Sequence, residues 1–342
     1  MLVKEKQALL KNSYQMRPVR MEDLDAVLDM LVKFSQRFSG VADVDRAEML
    51  NFWSTPGLKL DDDLRLMLNA RGEVVGYAEL PLLDEPPAHP FSWLRVHPDY
   101  LDQGVAEPLL DWLDERAKLA VERCPEDLRV SLQTFIPPKG EPLARLFEAR
   151  GYKLIRHSFI MYADLDGKLQ APEWPARLEV RPFVEERDLD AAYRAYDESF
   201  SDHFGHVKRP YEAGLKRFRH MLIEDEYYDP RLMFLAWDGN ELAGFSLCHP
   251  TCSEDPDMGW LALLGVRRAW RQHGLGKALL LHTFAEFARR GKKKVGLGVD
   301  ASNLTGALRL YENAGMYVAR QYDRYEKELR PGKELMTTEL DQ

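Results

Sequence analysis

The chain repeats itself, and that repetition constrains its fold more than any other feature. Arg17-Pro18 followed by Asp23-Leu24-Asp25-Ala26 returns as Arg181-Pro182 followed by Asp188-Leu189-Asp190-Ala191. Asn69-Ala70-Arg71-Gly72 leading into Val74 to Leu80 reads as a turn and strand, and Asp238-Gly239-Asn240 leading into Leu242 to Leu247 reads as the same hairpin again. Val96 to Ala106 parallels Val266 to Gly276, and Leu146-Phe147-Glu148-Ala149-Arg150-Gly151 parallels Leu310-Tyr311-Glu312-Asn313-Ala314-Gly315. The matches fall in one order at nearly constant separation, which implies a duplicated unit. A chain of 342 residues also exceeds the size at which one hydrophobic core usually stops growing. Two domains are expected, 1-165 and 175-342, separated where Gly167, Pro172 and Pro175 interrupt any periodic pattern.

Each half reads as a strand, two helices, a run of antiparallel strands, a strand entering a helix, and finally strand, helix and strand. That order predicts an α/β or α+β domain, a mixed and mostly antiparallel sheet flanked by helices. A formal charge of -9 argues against a protein that coats nucleic acid or an anionic membrane. Cys124, Cys248 and Cys252 lack the spacing of a secreted disulfide framework, and Met1 to Gln15 lacks the apolar core of a signal peptide. A cytoplasmic location is expected, as a monomer or homodimer.

Leu261 to Val266 is an apolar run of strand length, followed by a basic and polar stretch and then by Gly274-Leu275-Gly276. From Lys277 to Arg290, apolar residues at Leu280, Leu281, Phe284, Phe287 and Ala288 have the spacing of a helix with one buried face, and Gly291 stops it. The glycines therefore sit where a strand becomes a helix. There the first N–H groups of the helix have no internal acceptor, and glycine lets a phosphate approach the backbone. Arg268 and Arg271 can add charge.

Arg271-Gln272-His273-Gly274-Leu275-Gly276 resembles the Arg/Gln-x-x-Gly-x-Gly/Ala acetyl-CoA signature of the GNAT superfamily of N-acetyltransferases. Asn303 to Met316, with Leu310-Tyr311-Glu312 inside it, is similar to that superfamily's second hallmark. The resemblance implies acetyl-CoA as co-substrate and no metal. It implies that Leu264, Gly265 and Val266 line the pantetheine arm, that Arg271, Gln272, His273, Gly274, Leu275, Gly276 and Lys277 hold the pyrophosphate, and that Asn303 contacts the cofactor arm. Tyr311 would stand near the sulfur and protonate the departing thiolate.

Relatives often carry a carboxylate on the strand before the signature, but Gly259 to Leu264 contains no acid. His249 and Asp300 are the base candidates. Ser199 to His206 falls where the superfamily's acceptor loop resides, so His203, Phe204 and Trp260 are expected to meet a small amine acceptor. The loop resembles those of two-copy relatives of mycothiol synthase. Cys248, His249 and Cys252 are too few ligands for a zinc site.

The first half departs from the signature. Its turn reads Leu101-Asp102-Gln103-Gly104-Val105-Ala106, with Leu101 in place of Arg or Gln and Asp102 beside the expected phosphate. Phe147 stands where Tyr311 stands in the second half. A first domain that supports the second without catalysing is the expectation. A different class of function, a non-catalytic acyl-CoA sensor or scaffold, is the alternative that the missing carboxylate suggests.

Overall fold

The computed structural model describes residues 14–167, 169–302 and 306–337. Their contacts divide into two compact units. One takes the described residues up to Arg156 together with Tyr322–Leu335, and the other takes those of His157–Gln321 with the residues from Met336 on.

In the first unit β1 (Gln15–Pro18), β2 (Leu64–Leu68), β3 (Val74–Glu79) and β4 (Trp93–Val96) form an antiparallel sheet in that order. Helix α1 (Leu24–Phe38) buries Leu24, Val27, Met30, Leu31, Phe34 and Phe38, one stripe at helical spacing, and α2 (Arg46–Trp53) adds Met49 and Trp53. Helix α3 (Ala106–Arg123) packs Leu109, Leu110 and Leu113 into the other main core. Strand β5 (Val130–Ile136) and α4 (Glu141–Ala149) complete the repeat, and β6 (Lys153–Asp164) leads out of the unit.

The second unit repeats the plan with β7 (Leu178–Pro182), α5 (Glu185–Phe200), α6 (Tyr211–Leu222), β8 (Met233–Asp238), β9 (Glu241–His249), β10 (Met258–Val266), α7 (Leu275–Arg289), β11 (Lys294–Asp300) and α8 (Ala307–Asn313). Its strands run in the order β6-β11-β10-β9-β8-β7. Only β10 and β11 are parallel there, because α7 carries the chain from one to the other.

The repeated Arg-Pro…Asp motif has a structural task. Arg17 donates to Asp23 at 2.6–2.7 Å while the Arg20 N–H caps the same carboxylate at 2.8 Å. In the second unit Val184 N–H donates to Asp188 at 2.9 Å, with Arg181 at 3.9 Å and Arg187 at 2.7 Å. Each buried Asp ties the first strand to the start of the first helix, and its arginine partner holds the pKa below the ordinary carboxylate range against the cost of burial.

The unit boundary differs from a cut at the Pro-rich stretch after Asp164. Along β6, Ser158 to Asp164 pair with Asp300 to Lys294 of β11, and Met161 and Ala163 lie in the second unit's core. Strand β12 (Tyr317–Arg330) runs the other way: Asp323 to Arg330 pair with β5, and Tyr325 lies in the first unit's core. Main-chain pairing decides the membership of these strands, and linker composition does not reveal it.

Helix α7 crosses β10 at Gly259, where an added Cβ would stand 2.3 Å from the Phe287 ring. Gly259→Ala is expected to lower unfolding free energy by ~1–3 kcal/mol through overpacking. Urea unfolding followed by circular dichroism checks this, and an unchanged midpoint would contradict the packing account.

Candidate active site

The site begins with a fault in a strand. In β10, Leu261 faces Cys248 of β9 and Leu263 faces Leu247, so Ala262 is an extra residue that bends the strand. Before the bulge Met258–Trp260 pair with Lys294–Gly296; beyond it β10 and β11 part. The gap is a cleft of about 550 Å³ walled by Leu261 to Val266 on one side and Leu297 to Asp300 on the other. That volume suits a small-molecule site. Two parallel strand edges that have lost each other present main-chain donors and acceptors to whatever enters.

At the end of β10 the chain turns into α7 through Arg271 to Gly276. Gln272 and Gly274 both take positive φ, 65° and 84°. From Gln272 to Lys277 no main-chain N–H has an acceptor among the described residues, the first helical bond being Ala278 N–H to Gly274 C=O at 3.0 Å. Six consecutive donors, Gln272 to Lys277, thus lie at or just before the positive end of a helix dipole, an arrangement that suits a phosphate.

An ion network pins this turn. Glu198, near the end of α5, accepts from the Arg267 guanidinium at 2.6 Å and from the Arg268 N–H at 3.1 Å. Buried Asp202 binds Arg268 and, at 2.5 Å, Arg271, whose Nε and Nη2 also donate to Val266 C=O and Ser199 C=O, both at 3.1 Å. These contacts hold the Asp202 carboxyl below its ordinary pKa in spite of burial. Both guanidinium groups expected at the phosphate are therefore engaged with Asp202; Arg271 shapes the turn with its side chain and borders the cleft.

Tyr311 reaches the cleft from α8. Gly315, at φ 94°, ends the helix, and the Met316 N–H returns to Tyr311 C=O at 3.0 Å. Burial pushes the Tyr311 hydroxyl up to about 12, and that hydroxyl has no hydrogen-bond partner among the described residues. The first unit has the same helix end at Gly151, with Tyr152 N–H on Phe147 C=O at 3.1 Å, but Phe147 is fully buried and carries no hydroxyl.

Of the residues expected at the site, His203, Leu264, Gly265, Val266, Arg271, Gln272, Gly274, Leu275, Gly276, Lys277, Asp300 and Tyr311 border the cleft. His273 contributes its main chain to the exposed turn. His249 ends β9 opposite Trp260, and Trp260 lies over Gly296, where a Cβ would come within 2.8 Å of its ring; neither borders the cleft, nor does Phe204. Asn303 lies outside the described residues. Sequence reasoning missed Ala262, Leu297, Gly298 and Val299, since an apolar run carries no mark of a bulge or of which edge is bare.

Residues 189–316 match the model of the acetyltransferase (GNAT) family. The mycothiol acetyltransferase of Geodermatophilus obscurus is 31% identical over 252 residues, covering 72% of this chain and 76% of the relative. That of Thermobispora bispora is 30% identical, over 73% and 79%. Among solved structures, a GCN5-related N-acetyltransferase from Sphaerobacter thermophilus superposes with a TM-score of 0.76 at 31% identity, over 94% of this chain and 98% of that one. A tandem GNAT protein from the clavulanic acid biosynthesis pathway shares the fold, with a TM-score of 0.69 at 17% identity and 94% and 100% coverage. The chain belongs to the GNAT family and is an acetyl-CoA-dependent acetyltransferase.

Gly274→Val would force a β-branched residue to φ 84°, straining the turn by ~1–3 kcal/mol. Acetyl-CoA binding measured by calorimetry should weaken about tenfold or more. Unaltered affinity would contradict the assignment of the diphosphate to this turn.

Proposed function

We propose that the second unit acetylates a primary amine on a small polar acceptor by direct transfer from acetyl-CoA. The observation that carries this reading is a protonated tyrosine hydroxyl, Tyr311, set in the gap between the parted strands. In the cleft, the bare edge of Leu264 to Val266 receives the pantetheine arm, and the donors from Gln272 to Lys277 receive the diphosphate. Acetyl-CoA supplies the activated acyl group; Tyr311 supplies the proton that the departing sulfur needs.

Direct transfer is supported by the chemistry of the lining. No cysteine borders the cleft among the described residues, and burial pushes the Cys248 thiol up to about 12, far from a reactive thiolate. No group of His, Cys, Asp and Glu among the described residues can hold a metal ion. The relatives named mycothiol acetyltransferase support a small polar acceptor. No described helix is long and apolar enough to cross a membrane.

The first unit serves in this reading as a support that has given up catalysis. Asp102 beside its turn opposes an anion, and Gly104 keeps positive φ, 73°, without the arginine that precedes Gly274. Gln103 is bound to Tyr14 at 2.9 Å and to Asp99 C=O at 2.7 Å.

Thiol release with a panel of amino sugars, polyamines and aminoacyl amides should identify an acceptor and give intersecting initial-rate patterns, whereas parallel patterns would contradict direct transfer. Tyr311→Phe should lower kcat about 10²-fold and leave the KM for acetyl-CoA within about twofold. Because the hydroxyl titrates near 12, no basic limb from Tyr311 is expected below about pH 10. Full activity in Tyr311→Phe would remove the proton-donor role.

A further inference from the structure

We infer that His203 is the base that takes the proton from the acceptor amine, with Asp300 on the facing strand opposing the charge it gains. This assignment rests on the amine-transfer reading above and gives His203 a chemical role in place of simple acceptor contact.

The reaction needs a base because an alkyl amine arrives at neutral pH as an ammonium ion, which has no lone pair to attack with. Strand β10 offers no acid, and His249 does not border the cleft. Two basic groups that do are His203 and Asp300. Asp300 already accepts from the Ser302 N–H at 2.8 Å, whereas the His203 ring nitrogens have no partner among the described residues, so the histidine is the group placed to take a proton.

Geometry prepares His203 for this task. It follows the end of α5, with its N–H on Phe200 C=O at 2.9 Å and its ring against Phe200 at a centroid distance of 4.5 Å. The loop is strapped from outside: Gly205 N–H donates to Thr337 C=O at 3.1 Å, Thr337 N–H donates to His206 C=O at 3.0 Å, and the Thr337 hydroxyl donates to Ser201 C=O at 2.9 Å. Neither ring nitrogen of His203 has a hydrogen-bond partner among the described residues. One helical turn earlier, buried Ser199 also borders the cleft, and its hydroxyl has no partner either. A wall with unspent polar groups beside an apolar gap is built to receive a polar ligand.

The surrounding charges suit a base that is neutral until used. Burial lowers the His203 pKa most; Arg271 from the glycine turn and His206 from its own loop lower it further, while Asp202 from the loop and Asp300 from β11 raise it. At neutral pH the imidazole is uncharged. In the transfer step the acceptor nitrogen bonds to the acetyl carbonyl carbon as the carbon–sulfur bond breaks. By then the ammonium has lost its first proton through His203 to solvent; the second, released as the amide forms, passes to the again neutral His203, and the sulfur takes the Tyr311 proton. Both residues then exchange protons with solvent, and the balance needs no further reactant.

The test uses the full chain and the best acceptor from the amine panel. His203→Gln should lower kcat about 10²- to 10³-fold and bind acetyl-CoA within about twofold of the wild type, which also serves as the check on folding. The acid limb of the wild-type kcat profile, set below the ordinary histidine range near 6.5, should vanish in that variant. Asp300→Asn should move the limb to lower pH, because removing a negative charge makes the imidazole harder to protonate. Free imidazole, and not acetate, should restore His203→Ala in proportion to its concentration. If the wild type turns over an amine and His203→Gln keeps the same acid limb, the base assignment falls and the amine-transfer reading stands. A wild type that binds acetyl-CoA but acetylates no amine brings down both.

Discussion

The cleft in the second unit depends on one main-chain fault, the extra residue at Ala262. Without it β10 and β11 would stay hydrogen-bonded along their length, and the parallel pair would seal itself. With it they pair over Met258–Trp260 and then part, leaving two bare edges and a cleft of about 550 Å³. An unpaired strand edge in a protein interior is costly unless a partner or solvent satisfies it. Here the unmet bonding capacity lines the cleft, and the pantetheine chain is the proposed partner.

A second constraint fixes where that cleft points. Glu198 and Asp202 at the end of α5 hold Arg267, Arg268 and Arg271. The same short segment thus anchors the glycine turn and carries Ser199 and His203 along the wall of the cleft. The turn and this wall share one set of ion pairs, so loss of Glu198 or Asp202 is expected to disturb both. The Arg268 and Arg271 charges expected at a phosphate are engaged in this framework, while the donors without an acceptor among the described residues belong to the main chain from Gln272 to Lys277.

Much of the plan was legible in the sequence because the duplication exposes it. Arg17 with Asp23 and Arg181 with Asp188 mark the same strand-to-helix tie in each unit, and Gly151 and Gly315 stop equivalent helices. The glycine turn and the place of Tyr311 at the cleft were readable because each is marked by particular residues, glycine where φ is positive and Leu-Tyr-Glu on the last helix. What stayed hidden has no residue signature. The bulge lies in the featureless run Leu261 to Leu264, and the affiliation of β6 and β12 depends on pairing between segments far apart in the chain. Trp260 looked like an acceptor contact, yet it covers Gly296 below the point where the strands separate.

The account is tested most directly by amide hydrogen exchange with and without acetyl-CoA. The ligand should protect amides in two places, the turn from Gln272 to Lys277 and the edge from Leu261 to Val266, and should leave Leu101 to Ala106 of the first unit unchanged. Protection confined to the first unit, or none at the second unit's turn and strand edge at saturating acetyl-CoA, would contradict it.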